Sequence, residues 1–183
     1  MYKRQGVVSE EEYKKSIVYN IDRIRFQIFT ALFGAVVLII FTLGGLFNFL
    51  AEIVVSTTSS DVLGAVLLGL LLLIVEQVIS IPISIYSTFV IEERHGFNKT
   101  TTKTFVTDMF KSLLISATIS SIIYATVIYI VVNLGDNWWI YAFGAVFFLQ
   151  AIIFFLYPVL IMPLFNKFEP LDNEEFKKPI EKL

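Results

Sequence analysis

No cysteine occurs in this chain, which excludes disulfides, thiolate nucleophiles and cysteine-ligated metals. Histidine is almost as scarce: His95 stands alone. A catalytic zinc site takes three protein ligands, commonly two of them histidines, and no H-E-x-x-H is present. Glu92 and His95 have the E-x-x-H spacing of di-iron bundles, but that design needs a second copy on another helix. The single copy is read as coincidence. A glycine-rich phosphate loop and a G-x-S-x-G elbow are also missing. Charge is thin, at 16 % of residues against about 25 % in soluble domains. The net charge of −2 offers no basic excess, so no nucleic-acid partner is expected. From these residues alone, no catalytic residue, metal ligand or cofactor is expected within the chain.

What the chain has instead is apolar length. Hydrophobic residues make up 56 %, with 18 phenylalanines among them. Four long apolar stretches run over 26–50, 62–90, 113–134 and 138–165. About 20 apolar residues cross the ~30 Å of a hydrocarbon core, so each is long enough to span. Lipid offers the backbone no hydrogen bonds, which leaves helices as the way to cross. The expected fold is all-α: a polytopic membrane protein of about four transmembrane helices with amphipathic cytoplasmic helices, its solvent the lipid bilayer. Pro82 falls in the second stretch and Pro158 and Pro163 in the fourth. Each removes a helical hydrogen bond, so kinks are expected there.

The basic residues set the topology. All fourteen lie before the first stretch, between the second and third, or after the fourth; the segments 51–61 and 135–137 have none. Lys and Arg are retained on the cytoplasmic side, which predicts both termini and the middle loop there. Trp138 and Trp139 mark the opposite interface. Residues 1–25 are a mixed charged stretch without the short apolar core of a signal peptide. Ser9 and Glu12 form a capping box, and Tyr13, Ile17, Ile21 and Ile24 line one face of a helix leading into the first span. In the middle loop, Asn98 or Thr100 is the expected cap of a segment with Phe105, Val106, Met109, Phe110 and Leu113 as its apolar stripe. That segment is either an interfacial helix or the start of the third span.

Glu76 is the one ionisable residue deep within a predicted span. Such groups are costly in lipid and usually face a bundle interior or wet cavity. Ser80 and Ser84 follow at steps of four, and Gly69 precedes by seven, so all share one helix face. Two readings stand: these residues line a water-filled chamber, or Glu76 is a structural carboxyl bonded to a neighbouring helix. The third span carries Ser116, Ser120, Ala117, Ser121 and Ala125 on adjacent rows. Small residues four apart are read as a close-packing surface.

Two segments are distinctive beyond their hydropathy. One is Tyr86-Ser-Thr-Phe-Val-Ile-Glu-Glu-Arg-His-Gly-Phe-Asn-Lys-Thr100, continuing to Phe105, Asp108 and Lys111; the other is Met162-Pro-Leu-Phe-Asn-Lys-Phe-Glu-Pro-Leu171, followed by Ile180-Glu-Lys-Leu183. In order and spacing they resemble the N-terminal membrane region of the type 1 CAAX prenyl protease family, integral-membrane zinc metallopeptidases. Arg4-Gln5 and the run from Tyr13 through Tyr19, Asp22 and Phe26 fit more weakly. The resemblance implies a ring of membrane helices around a large chamber. Its zinc, held by an H-E-x-x-H helix and a further glutamate, belongs to a region beyond Leu183. The chain is therefore expected to be shortened at both ends and inactive by itself, with residues 166–183 a cytoplasmic tail leading to the missing C-terminal catalytic domain. Peptide or protein would be the substrate of the complete enzyme. Glu92, His95, Gly96, Phe97, Asn98 and Lys99, with Phe165, Asn166, Lys167 and Phe168, are candidates for docking that domain; the alternative is that they are helix-terminating loops. Two other functions stay open: a non-enzymatic membrane scaffold or interaction subunit, and a small channel or transporter using Glu76.

Overall fold

The computed structural model describes residues 10–166; Ser9, Lys167 and Phe168 lie outside them. Among the described residues there is no strand. Helix α1 runs from Glu10 to Thr42 without interruption, so the amphipathic entry segment and the first span are one helix. The first apolar stretch nonetheless does not form one helix as far as Leu50. Gly44 and Gly45 break it, and Gly45 adopts φ 76°, a left-handed conformation that glycine enters without a Cβ penalty. A short apolar helix, α2 (Leu46–Val55), follows. It leans on the next helix through Val54, beside Gly64.

Helix α3 (Asp61–Tyr86) begins at Ser60, whose side chain accepts the Leu63 N–H at 3.3 Å, with Asp61 in the first turn. It continues through a wider π-helical segment, Ser87–Glu92, and a last turn, Glu93–His95. Helix α4 (Thr102–Asn133) follows directly, so the Phe105–Leu113 stripe is the start of the third span and not a separate interfacial helix. Its cap is Thr101, accepting the Thr104 N–H at 3.1 Å, and not Asn98 or Thr100. Asn98 is occupied otherwise: its Oδ1 accepts the Thr100 N–H at 2.7 Å, closing the turn before the helix. Helix α5 (Trp138–Leu156) enters from the turn Gly135–Asn137. It passes through a second π segment, Tyr157–Ile161, into Met162–Phe165. Pro158 lies inside that π segment, where the missing N–H already costs the α ladder a bond.

Four of these helical runs are long and apolar enough to cross a membrane: Tyr13–Thr42, Asp61–His95, Thr102–Asn133 and Gly135–Phe165. The α3–α4 pair packs most extensively, followed by α4–α5. Gly69 on α3 is buried under the Tyr124 ring of α4, which occupies the place of a Cβ. Ala117, Ser120, Ser121 and Ala125 are half-buried, whereas Ser116 is exposed. Leu50, Val54, Ile91, Ile130 and Ala142 are buried, while most large apolar side chains face outward. Such a surface suits lipid and no aqueous solvent. One end of the assembly gathers the start of α1, the end of α3, the start of α4 and the end of α5. Asp22 meets His95, Phe89 stacks edge-on to Phe105, and Lys111 reaches Leu164.

Candidate functional site

The chain reversal after α3 is built by the residues His95-Gly-Phe-Asn. Gly96 takes φ 73°, ψ 25°. Its N–H donates to the Glu93 carbonyl at 3.0 Å, and the Phe97 N–H donates to the Glu92 carbonyl at 2.9 Å. This is the Schellman pattern, which satisfies the last carbonyls of a helix and needs a left-handed residue where glycine stands. Asn98 secures the turn from outside, donating from Nδ2 to Glu93 Oε2 at 2.9 Å. Lys99 stays exposed.

With the backbone turned, His95 points into the packing against α1. It is the one buried polar side chain among the described residues, 7 % exposed. Its Nε2–H donates to Asp22 Oδ2 at 3.0 Å. A guanidinium nitrogen of Arg94 lies 3.5 Å from the same oxygen. Asp22 precedes the apolar stretch that begins at Phe26. The His95 hydrogen bond and the Arg94 guanidinium both engage its carboxylate. Tyr19, one turn before Asp22, packs edge-on to His95 with centroids 5.4 Å apart and against Phe97 at 4.7 Å. Lys15 stands over the Phe97 ring at 5.9 Å. Sequence reasoning singled out His95 through Lys99 but not this pairing with α1. The available signal was that Tyr19 and Asp22 share a helix face.

The second segment is held by Lys111. The Lys111 ammonium donates to the Leu164 carbonyl at 2.8 Å and to Asp108 Oδ1 at 3.3 Å, and lies 5.7 Å from the Phe165 centroid. The Asn166 N–H donates to the Met162 carbonyl at 3.1 Å. The two segments share one end of the assembly and meet through Lys111, the far end of the first, which holds Leu164 and Phe165 of the second, while the His95–Asn98 turn packs on α1. Glu76 and Ser84 are exposed on α3, and the half-buried Ser80 donates its hydroxyl to the Gln77 carbonyl of its own helix at 3.0 Å.

His95 and Asp22 do not make a zinc site. No third His, Cys, Asp or Glu joins them among the described residues, and the Arg94 guanidinium already sits at the carboxylate.

The arrangement matches known proteins over nearly its whole length. The sequence profile of the family described as CAAX prenyl protease N-terminal, five membrane helices, matches residues 3–167. The chain belongs to this CAAX prenyl protease family. Among its relatives, the CAAX prenyl protease 1 homolog of Oryza sativa is 35 % identical across 97 % of this chain and 44 % of its own length. The Arabidopsis thaliana homolog is 36 % identical with the same coverage. The crystal structure of S. mikatae Ste24p superimposes with a TM-score of 0.87 at 32 % identity, covering 96 % of this chain and 42 % of that one. The chain thus spans less than half the length of these CAAX prenyl protease relatives. Among the described residues four helices are long and apolar enough to span a membrane, against the five in the family's description.

Proposed function

We propose that this chain is the membrane domain of a CAAX-protease-like zinc metalloendopeptidase and forms part of the wall of an intramembrane chamber. The observation that carries this reading is the match to S. mikatae Ste24p, close in both backbone and sequence across 96 % of the chain. In this reading zinc and its ligands come from the C-terminal catalytic domain. The end of the assembly that bears His95–Lys99, Phe165 and Asn166 is the docking face for that domain. Its basic residues put it on the cytoplasmic side, together with both termini. Glu76, Ser80 and Ser84 face the chamber. Zinc, when bound, supplies an activated water for peptide hydrolysis. This chain supplies enclosure and positioning.

The test uses the full reading frame. The purified full-length protein is expected to cleave a prenylated peptide ending in a CAAX sequence. It is expected to lose that activity to a chelator and regain it with added zinc. A full-length protein that folds and binds zinc but cleaves no such peptide would leave the chain with the fold of the family and another task. Absence of a zinc-binding sequence from the frame would favour the scaffold reading.

A further inference from the structure

Between α1 and the second half of α3 lies a cavity of about 690 Å³. Its long wall is aromatic. Phe26, Phe29 and Phe33 stand one turn apart along α1, and Tyr86 faces Phe26 from α3 with ring centroids 5.0 Å apart. Arg25 and Arg94 lie at one end of the cavity, beside Asp22. Asp22 is engaged by His95 and Arg94, so the three charged residues leave one net positive charge at the mouth. From Arg25 to Phe33 the helix rises about 12 Å; with the charged residues at the membrane interface, the cavity reaches from there into the hydrocarbon. Phe29 and Tyr86 remain 58 % and 45 % exposed within it.

We infer that this groove is a binding site for one anionic phospholipid, its headgroup at Arg25 and Arg94 and an acyl chain along the phenylalanine wall. Charge and depth together favour that occupant. An apolar helix of another protein would leave the arginines facing nothing of opposite sign. A zwitterionic lipid would gain little from them, since its own ammonium lies close to its phosphate. Basic pockets between transmembrane helices recognise anionic headgroups, and a basic residue near an anionic membrane surface contributes about fivefold in affinity, so the one net positive charge at the mouth sets a preference of about fivefold. The inference does not depend on peptidase activity.

The test places a photoreactive benzoylphenylalanine at Phe33 in the full-length protein, reconstituted in equimolar phosphatidylserine and phosphatidylcholine. The same label at Phe147, on α5 outside the groove, serves as reference. At position 33 phosphatidylserine adducts are expected to exceed phosphatidylcholine adducts by about fivefold, while position 147 reports near equality. Arg25→Gln leaves the Asp22 contacts with His95 and Arg94 in place and is expected to remove most of the preference. Adding Arg94→Gln leaves Asp22 uncompensated and should bring the ratio to one or below. Equal adducts at position 33 would mean ordinary boundary lipid. Adducts to another part of the protein would mean that a protein segment fills the groove. Either result overturns the site.

Discussion

The His95–Asp22 hydrogen bond ties the end of α3 to α1 across 73 positions of sequence. Nothing in a single sequence announces that partner, because hydropathy and spacing report only neighbours along the chain. His95 itself was conspicuous as the sole histidine beside a helix-ending glycine, and the Schellman turn at Gly96 follows from local chemistry. The partner carboxylate was hidden among the charged residues of the entry helix. A buried imidazole that donates to a carboxylate should behave as a unit with it. Asp22→Asn and His95→Ala are each expected to lower the unfolding midpoint of the full-length protein, and the double variant should fall little further than the worse single. Additive losses would show that the two residues act independently. His95→Gln, which retains a donor, should recover part of the loss where His95→Leu does not; equal loss in both would make His95 a packing residue only.

Helix number and type were readable because four apolar stretches of spanning length admit few structures in lipid. The interruption at Gly44-Gly45 was not, since the hydropathy of residues 26–50 is nearly continuous and only backbone conformation separates α1 from α2. The prolines marked disturbed helix but not its form. The Tyr157–Ile161 segment around Pro158 is a widened π turn, and a similar turn, Ser87–Glu92, follows Pro82 at a distance of five residues. The α3–α4 contact was half readable. Gly69 was assigned to the polar face of Glu76 and Ser80, and the structure uses it instead to admit the Tyr124 ring. Any side chain there must displace that ring. Gly69→Ala is expected to destabilise by about 1–3 kcal/mol, the usual range for overpacking. Tyr124→Leu in the same background should restore part of the loss, because it clears the site. Thermal or denaturant unfolding in detergent measures both. Unchanged stability of Gly69→Ala would show that the α3–α4 contact is loose at this level.

The polar face of α3 decides how the assembled helices meet water. Gly69 is buried, yet Glu76, two turns on, is exposed, and so is Ser84. Helix α3 thus packs at Gly69 and presents its carboxyl to open space further along. That space is filled by lipid, by water or by another protein segment, and the energetics separate these. An ionised acidic side chain at the middle of a bilayer costs roughly 2.5–3.5 kcal/mol on insertion scales. A water-lined wall removes most of that cost, and a neighbouring donor removes it by a hydrogen bond. Ile74 and Val78, on other faces, are 51 % and 62 % exposed and suit lipid. Single cysteines at positions 74, 76, 78, 80 and 84 discriminate, because this chain has none of its own; any elsewhere in the full-length protein are first replaced. In sealed vesicles, a membrane-impermeant thiol reagent is expected to label positions 76, 80 and 84 and to leave 74 and 78 unmodified. Labelling should be slower at 80, where the side chain is half-buried against its own helix. A chamber wall requires this alternation by helix face. Equal protection at all five positions would instead make Glu76 a structural group bonded across a dry helix contact. In that case Glu76→Gln, which keeps hydrogen-bonding capacity without charge, should leave stability unchanged while Glu76→Leu lowers it.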